Sequence, residues 1–156
     1  AAMAAARADI CEADRLPEKV RALGKAIEDG CLWNQVQDVG GLITRDEAVA
    51  FITWEDANAA AFEKLAEKAG FLPLVIKEGD YDSALLYELG LWDASEKCIE
   101  KIAELAASAK IQRVVVDSPH LWDLLKKKAV SDKIVPLTLF LKELVDSGKL
   151  RLRNTK

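Results

Sequence analysis

Ile111-Gln112-Arg113-Val114-Val115-Val116-Asp117-Ser118-Pro119-His120-Leu121-Trp122 joins the most strand-like run of the chain to the start of a helix. Three consecutive valines are β-branched and place apolar groups on both sides of a pleat, so residues 111–117 are predicted to be a strand buried on both faces. Pro119 suits a first helical turn, where its missing N–H needs no partner, and a helix is expected over 120–129.

The same alternation extends in both directions. Upstream, residues 95–110 carry Ile99, Ile102, Leu105 and Ala106 at helical spacing, with Ser95 as the expected N-cap. Residues 48–53 and 71–76 read as strands. Between them lies a helix over 57–69, with Ala61, Leu65 and Ala69 on its apolar face, Phe62 flanking that face, and Gly70 closing it. Residues 80–91 hold a short helix and a turn. Downstream come a short strand over 133–135, a helix over 137–146 ended by Gly148, and a small edge strand over 150–152. Apolar strands separated by helices predict an α/β fold: a small, mainly parallel sheet of four or five strands with helices on both faces and right-handed crossovers.

Residues 1–45 read as an arm preceding an α/β domain over 46–156. Its helix over 14–30 has Pro17 near its start, Leu16, Val20, Leu23 and Ile27 at spacings of three and four, and Gly30 at its end. Residues 31–44, with Trp33, Asn34 and Gly40-Gly41, read as an irregular linker. Trp33 and Leu32 are the expected anchors for a partner, since a tryptophan in an exposed linker needs a surface to bury it.

Composition narrows the function. The chain has 156 residues, 51% hydrophobic and 31% charged, which suits a globular domain with its own core. Net charge is −4 and the pI about 5.2, which opposes nucleic-acid binding. Lys126-Lys127-Lys128 and the tail residues Lys149, Arg151, Arg153 and Lys156 are local basic clusters, read as a solvated helix face and an exposed tail. No apolar run is long enough to span a bilayer, and the alanine-rich opening, residues 1–9, has no stretch suited to a signal peptide. Cys11, Cys31 and Cys98 lie far apart without a C-x-x-C pair, which fits free thiols, a reducing compartment and a cytoplasmic location.

Three landmarks fall where strands lead into helices: Phe51-Ile52-Thr53-Trp54, then Glu78-Gly79-Asp80-Tyr81-Asp82-Ser83 continuing through Tyr87-Glu88-Leu89-Gly90, then Val114-Val115-Val116-Asp117-Ser118-Pro119-His120-Leu121. They resemble the cysteine-rich (CCG) domain of the heterodisulfide reductase family, in which the three places read roughly Phe-x-Gly-Cys, Cys-Cys-Gly and Val-Thr-x-Cys-Pro-x-Cys. The 35 residues between Asp82 and Ser118 are similar to the family's own gap, whereas the 26 between Trp54 and Tyr81 are fewer than usual. The resemblance covers about residues 48–152 and implies a Rossmann-like CCG-type domain. It also implies that Trp54, Tyr81, Asp82, Ser118 and Leu121 stand where five cluster-ligating cysteines would be. Thiolates anchor an iron–sulfur cluster, so a copy without them holds no such cofactor.

The substitutes offer little chemistry of their own. Asp117, Ser118 and His120 are close in sequence, but a serine hydrolase sets its serine on a strained turn and brings its histidine from a distant segment. His120 is expected to cap a helix or face solvent, and Asp82 or Asp117 to cap rather than act as a general base. Cys11, Cys31, Cys98 and His120 match no zinc spacing, and Cys98 reads as a small buried thiol. No phosphate-binding glycine motif is present.

The resemblance therefore implies a non-catalytic structural or docking subunit of a multi-subunit electron-transfer complex of the heterodisulfide-reductase-like kind. Its partners would be iron–sulfur or flavin subunits, with peripheral association to a membrane complex permitted. Two alternatives stand beside it: a small-molecule-binding or catalytic domain using the cleft around Trp54, Asp82, Ser118 and His120, and an independent α/β regulatory module.

Overall fold

A computed structural model describes residues 2–3, 5–6, 17–43 and 47–151. Helices α1 (Glu18–Gly30) and α2 (Leu32–Gln35) and a 3-10 turn (Val39–Leu42) lead into strand β1 (Ala48–Thr53). There follow α3 (Asp56–Ala69), β2 (Pro73–Lys77), α4 (Ala84–Glu88), α5 (Trp92–Ala107), β3 (Ile111–Val116), α6 (Pro119–Lys127), β4 (Ile134–Pro136) and α7 (Leu137–Asp146). The four strands form one all-parallel sheet in the order β2-β1-β3-β4, so the fold is Rossmann-like α/β with a helical N-terminal arm.

Alternate strand residues point to opposite sides of a sheet, and the two sides here have separate cores. Ala48, Ala50, Ile52, Val114, Val116 and Ile134 join Ile99, Ile102, Leu105, Leu121 and Leu125 on one face. Val49, Phe51, Val115 and Val135 join Phe62, Phe140 and Leu144 on the other. The three valines of β3 are thus divided between two apolar layers, which is why that strand has no polar side along its last three residues. The second core is aromatic: Phe51 stacks on Phe62 at 4.1 Å, and Phe71 and Phe140 meet edge to face at 5.4 Å. The chain steps from β1 to β2 under one face, then from β2 through β3 to β4 under the other, as a single hand of crossover requires.

Several local expectations change. In α3 the packed face is Phe62, Leu65, Ala66 and Ala69, and Ala61 faces solvent, because the large ring of Phe62 sets the helix rotation. In α1 Leu23 is exposed, and Gly24 and Ile27 turn inward; Gly24 takes the Leu91 side chain against its backbone. Helix α5 starts at Trp92, so Ser95 is a buried helical residue and not the cap. Residues 31–43 form a helical turn and a 3-10 turn in place of an irregular linker. Of the expected edge strand, Leu150 closes the end of α7, its N–H bonding the Leu144 carbonyl at 3.0 Å, and Leu152 lies outside the described residues. Leu16, Cys11, Arg153 and Lys156 also lie outside them.

The arm is part of the first core. Ile27, Cys31, Trp33 and Val39 are buried in the same cluster as β1, β3 and α5. Gly79 marks the contact: it has φ +140, and a Cβ there would stand 2.4 Å from the Gly30 carbonyl oxygen, so only glycine lets the two backbones pass. Among the described residues no helix is long and apolar enough to cross a membrane.

Candidate functional site

In an open parallel sheet a ligand site is expected beyond the carboxyl ends of the strands where the strand order reverses, which here is between β1 and β3. Thr53 ends β1, fully buried, and its hydroxyl donates to Asp117 Oδ2 just beyond β3. Asn58, in the first turn and a half of α3, donates to the same oxygen at 3.0 Å and to Glu55 Oε2 at 3.1 Å. The Glu55 N–H in turn donates to Thr53 Oγ1 at 3.1 Å. Asp117 thus fastens the β1–α3 turn to the end of β3, and this carboxylate oxygen is already engaged by two donors.

Ser118 is the N-cap of α6, accepting from the Leu121 N–H at 3.0 Å. Its hydroxyl donates to Asp82 Oδ2, and Asp82 Oδ1 accepts from the Ala84 N–H at 2.9 Å. Two of the five positions assigned to lost cysteines therefore bind each other. Leu121 is 2% exposed within the first core, whereas Trp54 and Tyr81 are 37% and 43% exposed. His120 is exposed on α6, as one of its two expected roles required. Grooves of about 360, 430 and 490 Å³ lie away from these residues: beside Phe71 and Phe140, beside Leu72 and Leu74, and along α2 and α5 between Trp33 and Lys101. No buried side-chain nitrogen or oxygen among the described residues lacks a hydrogen-bond partner.

The expected partner anchors are used inside the chain. Trp33 is 1% exposed, its indole N–H donating to Glu78 Oε1 at 2.8 Å. Leu32 packs against the first core, and its N–H reaches the Glu78 carbonyl at 2.6 Å. The reading of Trp33 as an exposed anchor is therefore corrected: the arm folds back over the end of β2, and the chain's own core supplies the surface it needs. Trp122 is half-buried against the same core with the Lys126 ammonium 5.9 Å from its ring, and Trp92 is exposed but stacks on Tyr87 at 5.8 Å. The neighbouring lysines are paired with Asp123 and Glu96, as a solvated helix face would have them.

Glu78 escaped sequence reasoning. It follows Lys77 at the end of β2 and precedes Gly79-Asp80, so it reads as an ordinary turn residue; its 1% exposure comes from the arm above it. The Ser83 hydroxyl also donates to Glu78 Oε1, with the Ser83 N–H at 3.4 Å from Oε2. Burial outweighs these bonds and pushes the Glu78 carboxyl up to about 8, so it is mainly protonated at neutral pH.

Nearby, the sulfurs of Cys31 and Cys98 lie 3.4 Å apart, both buried and both free. The hydrogen bond from Cys98 lowers the Cys31 thiol to about 7 against the opposing effect of burial, and the same bond together with burial raises Cys98. Among the described residues no group of three or more His, Cys, Asp or Glu is placed to hold a metal ion. Comparison with family models, with curated proteins and with solved structures finds no match for this chain.

Proposed function

We propose that this chain is a non-catalytic structural or docking subunit of a multi-subunit electron-transfer complex of the heterodisulfide-reductase-like kind, partnered by iron–sulfur or flavin subunits. The observation that carries this reading is the Ser118–Asp82 pair. Two positions assigned to lost ligands satisfy each other, and the Leu121 side chain fills core volume, so the place where a ligand would sit is closed by the chain itself. Thr53 and Asn58 engage one oxygen of Asp117 in the same way. Surface is what remains. Trp54 and Tyr81 are exposed beyond the ends of β1 and β2, where aromatic side chains suit a protein interface.

The test is to tag the full chain in its native host, purify it gently, and measure iron, flavin and the identity of stoichiometric partners. Iron–sulfur or flavin subunits should co-purify, and their yield should fall at least several-fold with the Trp54→Ala/Tyr81→Ala double variant while its melting temperature stays near that of the parent. A chain that elutes alone, or carries only proteins without iron or flavin, overturns the reading.

A further inference from the structure

The Cys31 and Cys98 sulfurs are 67 residues apart in sequence and 3.4 Å apart in space. Bond formation needs them about 1.4 Å closer, since a disulfide spans about 2.0 Å. The geometry allows such a shift on one side: Cys31 sits in extended backbone, φ −71 and ψ 122, at the joint between α1 and α2, while Cys98 is fixed within α5. A side chain at a joint can move without unwinding a helix. Both residues are only 3% exposed, which excludes bulky oxidants and favours a small uncharged one.

We propose that Cys31 and Cys98 are a reversible disulfide site that reacts with hydrogen peroxide, Cys31 attacking and Cys98 resolving, and that the bond locks the N-terminal arm onto α5. In the first step the Cys31 thiolate attacks one peroxide oxygen: an S–O bond forms, the O–O bond breaks, and the departing hydroxide takes up a proton as water. In the second the Cys98 sulfur attacks the Cys31 sulfenic acid: the S–S bond forms, the S–O bond breaks, and hydroxide leaves with the Cys98 proton as a second water. Two thiols are oxidised and one peroxide is reduced; an external dithiol returns both sulfurs to thiols. Cys31 is the attacking member because its thiol is the more acidic, with the Cys98 thiol and the N–H groups of Trp33 and Asn34 as donors to its sulfur. The hydrogen bond to Cys31 and burial keep Cys98 protonated until the second step.

The bond would hold the arm where Trp33 covers Glu78, so the oxidised and reduced chains would differ in how tightly the arm is held. It requires neither a cluster nor a partner subunit, so its failure leaves the docking reading untouched.

Purified full-length chain is treated with hydrogen peroxide, the remaining thiols are alkylated after unfolding, and peptides are mapped by mass spectrometry. The expected product is a linked Cys31–Cys98 peptide that dithiothreitol abolishes. A melting temperature higher by roughly 10 °C should accompany it, since a crosslink closing so long a loop restricts the unfolded chain. In Cys98→Ser, a dimedone adduct should form on Cys31 when the peroxide-treated chain is unfolded in the presence of dimedone. The linked peptide is read in the unmutated chain, so a misfolded variant does not decide the matter. Recovery of both residues as alkylated thiols after peroxide, or of Cys31 as sulfinic acid without the linked peptide, overturns the proposal.

Discussion

Replacing Glu78 with Gln should stabilise this protein, and increasingly so as pH rises from 5 to 8. The carboxyl is buried beneath Trp33 and held near 8, against an ordinary value of 4.5 for the unfolded chain. Between those two values the unfolded state has released this proton and the folded state has kept it. Stability must then fall with rising pH, by about 1.4 kcal/mol per unit for one proton. The contribution is fully present below 4.5, is lost progressively up to about 8, and is level beyond. At pH 7, 2.5 units above the unfolded value, the wild-type chain gives up about 3 kcal/mol through this one group.

Glutamine keeps an oxygen to accept from the Trp33 indole and the Ser83 hydroxyl and has no proton to retain. The cost of its amide facing the Ser83 N–H reduces the gain, and about 1–3 kcal/mol at pH 7 remains. Asp82 and Cys31 are the other ionisable groups whose charge acts on Glu78, and both are present in either protein, so the difference between the two curves isolates this residue. Equilibrium urea unfolding of both proteins at pH 5, 6, 7 and 8 is the assay. The wild-type curve should descend relative to the variant by about one proton's worth across that range. Parallel curves, or a glutamine variant that loses stability at pH 8, would refute a neutral, buried Glu78.

Other outcomes follow from packing. Phe62→Ala removes the ring that stacks on Phe51 and meets Phe71, and urea unfolding should show a loss of about 3–5 kcal/mol; a loss under 1 would contradict the second core. Ser118→Ala removes both the cap of α6 and the bond to Asp82, for about 1–2 kcal/mol, whereas Ser118→Thr should recover most of it. Removing residues 1–45 uncovers Cys98, Ile99 and Ile102, so the shortened chain should bind the dye ANS and lose its cooperative melt; an unchanged melting temperature would show that the arm is dispensable.

Most of the fold was legible. Short apolar runs divided by helical periods read as a parallel sheet, and the three valines of β3 read as a strand covered on both sides, because each of those signals depends only on neighbours along the chain. Errors arose where the period was ambiguous. Helix α3 has alanine at 57, 59, 60, 61, 66 and 69, so almost any face could be drawn as apolar, and the position of the Phe62 ring decided it. Leu23 and Ile27 both fit one stripe in α1, yet the close approach of Leu91 to Gly24 rotates the helix and leaves Leu23 in solvent.

The sequence by itself determined the alternation of strands and helices, the parallel sheet, and the ends of strands where Trp54, Asp82 and Ser118 would gather. Only the tertiary structure decided which of those groups meet. Ser118 finds Asp82 across 36 residues, Trp33 finds Glu78 across 45, and Cys31 finds Cys98 across 67. Side-chain period records which face a residue turns to, because it is set by backbone geometry repeated every few residues. It holds no record of which distant group will satisfy a buried polar atom or press against a thiol. That choice is made when the arm closes over the sheet, and with it Trp33 became a core residue and Glu78 a buried acid.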